Sequence, residues 1–230
     1  MSLDRRPGPP ESEEELVARA RGLAGRDVRW LAEQVALPVP PDLTRHKGWL
    51  GQLVEILLGA DGATDDGPDF RGLGIELKTI PVDERAVPRE STWVCTASLD
   101  GSIASRWEES RVFKKLDCVL WVPILTMKGQ PLAERRVAMP QIWRADADEA
   151  TTLRGDWEEL SALIRGGRLD RLDARTGEAL HLRPKAAHSR ELVAALDLDG
   201  NWTETNPRGF YLRRSFTTRL IQRGLGWGPS

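Results

Sequence analysis

Apolar positions spaced three and four residues apart mark the first stretch of the chain. Ser12-Glu13-Glu14-Glu15 is a capping box, and Leu16, Ala20 and Leu23 follow on one face, which predicts a helix from Ser12 to about Gly25 behind a loose tail, Met1 to Pro10. A second short helix starts at Asp27 and is broken by Pro38, Pro40 and Pro41. Lys47 to Leu58 repeats the helical period, with Trp49, Leu50, Leu53, Val54 and Leu57 as its buried stripe and Gly59 as its stop. After a polar, Gly-rich loop, Asp61 to Pro68, the period drops to two. Ile75 and Leu77 interleave with Glu76 and Lys78, so Gly74 to Ile80 reads as a strand carrying Glu76 and Lys78 on one face.

Further strands are expected at Thr92 to Ala97 and Cys118 to Ile124, the second almost wholly apolar and therefore central in a sheet. Helices are expected at Glu108 to Leu116 and at Thr151 to Gly166, the latter with Leu153, Trp157, Leu160 and Ile164 inward. Leu169 to Leu182 predicts two short strands around Thr176-Gly177. Ser189 to Leu196 and Ser215 to Arg223 predict the last helices, flanking a loop at Asn206-Pro207-Arg208-Gly209. Alternating helices and strands argue a mixed α/β domain.

Composition narrows the partners. At 230 residues and 40% hydrophobic content the chain has room for a single domain spanning 1–230, or one domain with two lobes. A net charge of −2 and a pI near 6.0 exclude a uniformly basic coat for nucleic acid, so any DNA contact must come from local clustering. Such a cluster exists: residues 181–230 carry about four more Lys and Arg than acids, whereas the first twenty residues lean acidic. Cys95 and Cys118 sit in separate apolar runs and read as buried thiols. His46, His181 and His188 form no zinc or catalytic pattern. Without a signal-peptide core or an apolar run of roughly 20 residues, the expectation is a soluble, cytoplasmic protein.

The candidate chemistry lies in Pro68 to Thr79, where Asp69 precedes Glu76-Leu77-Lys78. Two carboxylates about 4 Å apart repel by roughly 4 kcal/mol at an effective dielectric near 20, so a site that joins them calls for a divalent cation or a proton. Hard oxygen ligands favour Mg²⁺ or Ca²⁺ over zinc. The competing reading is a half-exposed strand with a charged solvent face.

Separated blocks favour the first reading. Lys47-Gly48-Trp49, Leu53-Val54-Glu55-Ile56, Gly74 to Asp83, Val119-Leu120-Trp121-Val122-Pro123, Arg183-Pro184-Lys185-Ala186-Ala187 and Pro207 to Leu212 together resemble, in order and spacing, the MutH family of DNA mismatch-repair endonucleases. The resemblance implies a restriction-endonuclease-like mixed β-sheet flanked by helices, with two lobes around a DNA-binding cleft and residues 181–230 contributing to recognition. It implies a monomer that nicks 5′ to the G of GATC, on the unmethylated strand of hemimethylated double-stranded DNA, and that is activated by MutL with MutS upstream. Asp69, Glu76 and Glu55 would bind Mg²⁺ and Lys78 would orient the attacking water. Lys115 matches another family lysine near the active site, and Lys47 a phosphate-contacting residue. Arg183 and Lys185, beside the rigid Pro184, would present basic groups to a groove. Tyr211 matches the residue that senses adenine methylation and Glu90 the acid that assists it, while Trp93 stands where the family commonly has Phe. A GATC-cleaving type II restriction enzyme shares this catalytic core, and a catalytically silent DNA-binding module would keep the fold.

Overall fold

A computed structural model describes residues 6–44, 46–62, 67–172, 175–185 and 191–226. Its helices are α1 (Glu13–Gly22), α2 (Val28–Gln34), α3 (Trp49–Leu58), α4 (Arg111–Leu116), α5 (Ala147–Arg165) and α6 (Arg214–Gly224). Its strands are β1 (Glu76–Val82), β2 (Thr92–Thr96), β3 (Val119–Leu125), β4 (Arg136–Val137), β5 (Gln141–Trp143), β6 (Leu180–Pro184), β7 (Val193–Leu196), β8 (Trp202–Thr205) and β9 (Arg208–Leu212). They divide into two compact units: Met1–Arg89, Cys118–Arg144 and Thr218–Ser230 form one, and Glu90–Asp117 with Ala145–Thr217 the other.

In the first unit β1 runs parallel to β3, and β3 also pairs antiparallel with β4 and β5. The nearly continuous apolar run of β3 is thus central, as its pattern predicts. Leu77, Leu120, Val122 and Ile124 join Leu16, Leu31, Leu53, Val54 and Leu58 in one core, which sets α1 to α3 against one face of the sheet. Glu76 and Lys78 alternate to the opposite face. Local chemistry sets the helix ends: Ser12 Oγ accepts the Glu15 N–H at 3.2 Å, and α3 is bracketed by Gly48 (φ 89°) and Gly59 (φ 79°), left-handed positions that favour glycine.

In the second unit β2, β9 and β6 form an antiparallel sheet with β9 central, and α5 packs against β6. Asp156 of α5 is buried, and its carboxylate accepts the N–H groups of Glu178, Ala179 and Leu180 at 2.8, 2.6 and 2.8 Å. This ties the start of β6 to the helix. Hairpin β7–β8 stands as a separate two-stranded sheet.

Several expectations are corrected. Ser189 to Leu196 is not a helix where described: Val193–Leu196 is a strand paired with Trp202–Thr205. Among the described residues of 169–182 there is a 3-10 turn at Leu169–Arg171 and one strand, β6. Arg208 and Gly209 are not loop but the start of β9, held by partners on both sides that no local pattern reveals. Helix α5 starts earlier than Thr151, because Asp146 and Glu149 form a reciprocal capping box. The expected helix at Glu108 to Leu116 is a 3-10 turn at Trp107–Glu109 followed by α4. The loose tail is anchored by residue 8, whose carbonyl accepts from Arg19 Nη1 at 2.6 Å; Met1 to Arg5 lie outside the described residues. Cys95 and Cys118 are buried thiols that form no disulfide, as expected.

Candidate active site

The first unit supplies a charged pair where an apolar face would otherwise continue. Glu76 and Lys78 are 5% and 8% exposed, and Lys78 Nζ donates to Glu76 Oε1 at 3.2 Å. That removes the bland reading of a solvated strand face. Burying both charges is costly, and breaking a buried pair by removing one member costs about 3–5 kcal/mol in comparable cases. Folds retain such a pair against its desolvation cost where the charges have work to do.

Asp69 reaches the same strand from its outer edge. In the parallel ladder the N–H of Glu76 points to Cys118 of the β3 side, so the N–H of Leu77 points to the open edge. Asp69 Oδ2 accepts that N–H at 2.7 Å. Its carboxylate is therefore fixed to the backbone of the residue lying between Glu76 and Lys78. The backbone of Asp69 is itself gripped, since its carbonyl accepts both the Asp61 N–H at 3.1 Å and the Gly62 N–H at 2.9 Å, and Asp61 Oδ1 accepts from Arg71 N at 2.9 Å. A β-carbon on Gly62 would fall 2.3 Å from the Pro68 carbonyl oxygen and 2.8 Å from Asp69 Cα, so only glycine fits. Asp61 and Gly62 were read from sequence as surface loop; the Asp-Gly pair signalled a turn but not what the turn holds.

Glu55 is half-buried on α3. A β-carbon on Gly51 would lie 3.7 Å from Glu55 Oε1 and 3.8 Å from Thr79 Oγ1, so the Glu55 carboxylate and the Thr79 hydroxyl border the same space where α3 packs on β1. Lys47 is exposed in the turn that leads into α3. Lys115 belongs to the second unit, half-buried in the last turn of α4.

These donors are all carboxylate oxygens, a set suited to a hard divalent cation. Among the described residues no three His, Cys, Asp or Glu side chains are gathered as a ready cage. Magnesium does not need one: it commonly takes one or two carboxylates and completes its shell with water and substrate phosphate. Asp69, whose carboxylate sits on the Leu77 N–H, and Glu76, the residue before Leu77, supply two carboxylates of that kind.

The second unit assembles the other group. In the register of its sheet Trp93 and His181 both pair with Tyr211, so the three rings form a row across β2, β9 and β6. Tyr211 meets Trp93 edge-on at 5.2 Å between centroids and His181 edge-on at 6.3 Å. Arg183 lies over the Tyr211 ring at 5.5 Å and Lys185 Nζ over the Trp93 ring at 4.6 Å, while Lys185 also donates to Thr96 Oγ1 at 2.9 Å. Gly209 makes room for this row, because a β-carbon there would fall 2.1 Å from Trp93 Cζ3. Burial and the charge of exposed Glu90 raise the Tyr211 pKa, against a lowering by Arg183. Trp93, Arg183, Lys185 and Tyr211 thus share one face, with Glu90 near enough to act on the phenol.

His181 was set aside in the sequence, yet it belongs to this face. It is 6% exposed, its Nε2 lies 3.1 Å from Ser91 Oγ, and burial, Arg213 and Arg183 together push its pKa down to about 4. Its register with Tyr211 depends on a strand pair whose members are thirty residues apart in sequence, and spacing gives no signal of it. His188 lies outside the described residues.

A buried carboxylate–lysine pair on the edge strand, with a second carboxylate on the intervening amide, gathers two acids and an amine around three consecutive residues of β1. The family model described as "DNA mismatch repair enzyme MutH" matches residues 58–156. DNA mismatch repair protein MutH of Klebsiella pneumoniae (strain 342) is 49% identical over 215 residues, covering 94% of this chain and 93% of that protein. The MutH proteins of Vibrio parahaemolyticus (48% identical, 92% of this chain, 94% of that protein) and Shewanella baltica strain OS185 (46%, 95% and 98%) are similar over the same length. The chain belongs to the MutH family of DNA mismatch-repair endonucleases. No helix among the described residues is long and apolar enough to cross a membrane.

Proposed function

We propose that this endonuclease is a Mg²⁺-dependent nickase that cuts the unmethylated strand of hemimethylated GATC sites in methyl-directed mismatch repair and is activated by MutL, with MutS upstream. The single observation that carries the reading is the buried Glu76–Lys78 pair, with the Asp69 carboxylate held on the N–H of Leu77 between them. Asp69 and Glu76, with Glu55 beside Thr79, would hold the cation, which when bound would neutralise charge on the scissile phosphate and lower the pKa of a bound water. Lys78 then holds the attacking water and stabilises charge developing on the phosphate oxygens. Lys115 is assigned a supporting role in the same reaction, and Lys47 a phosphate contact that positions the duplex without reading its sequence.

Base reading is assigned to the second unit. Arg183 and Lys185 offer donors to guanine edges, and Glu90 accepts from an unmodified adenine amino group. Methylation removes one donor and adds bulk against Tyr211. Trp93 forms the wall behind that phenol. The chain works as one 1–230 nuclease domain, a monomer acting in the cytoplasm.

The test is nicking of a plasmid with one hemimethylated GATC, with and without Mg²⁺, MutL and ATP. The proposal expects nicks confined to the unmethylated strand, dependent on Mg²⁺ and accelerated by MutL. Double-strand cleavage of unmethylated DNA without MutL would instead identify a restriction enzyme, and GATC binding without any cut would identify a silent module.

A further inference from the structure

We propose that His181 is a positioning residue for methylation sensing: it backs the Tyr211 ring from β6 and ties it, through Ser91, to the segment that carries Glu90. This rests on the reading of Tyr211 and Glu90 as the adenine-sensing pair.

Four observations meet at this imidazole. It is paired in register with Tyr211 and meets its ring edge-on at 6.3 Å, opposite Trp93 at 5.2 Å, so the phenol is flanked on both sides by a ring. Its Nε2 lies 3.1 Å from the hydroxyl of Ser91, the residue next to Glu90. It is buried, on a sheet whose other buried side chains are apolar. Among the described residues its buried Nδ1 has no hydrogen-bond partner. An unsatisfied buried nitrogen costs about 1–3 kcal/mol, so a leucine of similar size would serve stability better. The position is therefore not explained by packing alone, and unsatisfied buried groups in native folds concentrate where a role outweighs the cost.

The role follows from steric discrimination. Rejecting one methyl group requires a wall that does not yield, because a side chain free to retreat by a few tenths of an ångström accepts the methylated base. Within the sheet, Trp93 and His181 are the rings that flank Tyr211 and limit its sideways movement. Trp93 is wedged over Gly209. His181 closes the other side and, by fixing Ser91, holds the Glu90 backbone in step with the wall. One ring thus couples the steric sensor to the hydrogen-bond acceptor. Arg213 and Arg183 are the charged groups that act on the imidazole, and Arg213 is held by the carbonyls of Gly177 and Thr176 at 2.7 and 3.0 Å. Both disfavour protonation and keep the ring a neutral spacer.

Tyr211 is the one tyrosine of the chain, so phenolate absorbance reports its surroundings without interference from another tyrosine. The experiment compares wild type with His181→Ala, His181→Gln and Ser91→Ala. Each is titrated for phenolate absorbance, and each is assayed for nicking of the unmethylated against the methylated strand of a single GATC. His181→Ala is expected to bring the phenol pKa down toward its ordinary value and to reduce strand discrimination about fivefold or more. Glutamine, whose amide reaches the place of Nε2, is expected to restore most of both, and Ser91→Ala to reduce discrimination with a smaller effect on the phenol. If His181→Ala does not fold, Ser91→Ala and His181→Gln still decide. Unchanged discrimination in Ser91→Ala and His181→Ala, with wild type discriminating normally, overturns the positioning role. A wild type that cuts both strands alike overturns the methylation reading itself, and a shifted phenol titration in that case separates the two failures.

Discussion

The two units solve opposite electrostatic problems. In the first, the groups assigned to hydrolysis are few and taken out of water: Glu76 and Lys78 share one face of β1 at 3.2 Å, and Asp69 is locked by its own backbone and by the N–H of Leu77. In the second, the basic side chains of Arg183 and Lys185 are exposed and held by ring contacts at 5.5 and 4.6 Å rather than by carboxylates. Chemistry demands fixed charges in a low dielectric, whereas reading demands unpaired donors that reach into a groove. Failure should therefore take different forms in the two places.

The largest expected effect separates them. Asp69→Ala should lower the nicking rate by about 10²–10³-fold, the usual size when a preorganised electrostatic group is removed, with GATC binding retained. Tyr211→Ser should leave the cation requirement intact and reduce the difference in cutting between hemimethylated and unmethylated sites. Rates and affinities measured on the same duplexes check both. Equal loss of binding and cutting in Asp69→Ala would erase the contrast, and an unchanged methylation ratio in Tyr211→Ser would remove that residue from the reading face.

Gly62 sharpens the comparison one step from the chemistry. Alanine there would drive a β-carbon to 2.3 Å from the Pro68 carbonyl and displace Asp69. Misplacing a reacting group by about 1 Å can cost about 10²-fold, so nicking should fall by about 10–10²-fold while DNA affinity holds. Wild-type rates in Gly62→Ala would mean that the Asp61–Gly62 grip does not set the position of Asp69.

How much of this could be read in the sequence differs between the units for a physical reason. Glu76 and Lys78 lie two residues apart on one strand, and a period of two is visible without knowing what the strand packs against. Asp69 was singled out by its spacing before Glu76-Leu77-Lys78 and Glu55 by the family resemblance; Asp69 binds the Leu77 N–H of β1, and Glu55 lies on α3, which packs on that strand. Helix α3 was legible from Trp49 to Gly59 because stripe and stop signal are local. The reading face is not local: Trp93, His181 and Tyr211 meet only through β2-β9-β6 pairing, and the start of β9, Arg208-Gly209, was taken for loop together with the preceding Asn206-Pro207. The family resemblance supplied Trp93 and Tyr211, but His181 fitted no motif and was passed over. Strand β7 was mistaken for a helix because Leu192, Val193, Ala194, Ala195 and Leu196 form a short apolar run, which suits either state until a partner strand decides.

Asp156 tests whether the second face depends on its support as the first does. Its carboxylate takes three N–H groups where β6 begins, and Asp156→Ala would strand them in a buried setting. A loss of about 2–4 kcal/mol in unfolding free energy is expected, with strand discrimination falling more than the rate on unmethylated DNA. Urea unfolding and the nicking ratio check the two parts; a stable variant with normal discrimination would show that β6 needs no such anchor.

The smallest effect is set by pH. The folded pKa of His181, about 4, lies below the ordinary 6.5, so the unfolded chain binds this proton more readily than the native one. The group leaves stability untouched above neutrality, removes it as pH falls from about 6.5 to about 4, and adds nothing further below. By pH 5 the loss amounts to roughly 1–2 kcal/mol. Acidic groups whose pKa values are lowered by hydrogen bonding and ion pairing, Glu13, Glu15 and Asp100, also lose stability toward acid, but they do so equally in a His181→Gln protein. Unfolding free energies at pH 7.5 and 5.0 should therefore differ less in His181→Gln than in wild type by that amount. Parallel losses in the two proteins would mean that the imidazole can take up a proton within the fold, and a wall that charges so easily would not keep Tyr211 in a neutral setting.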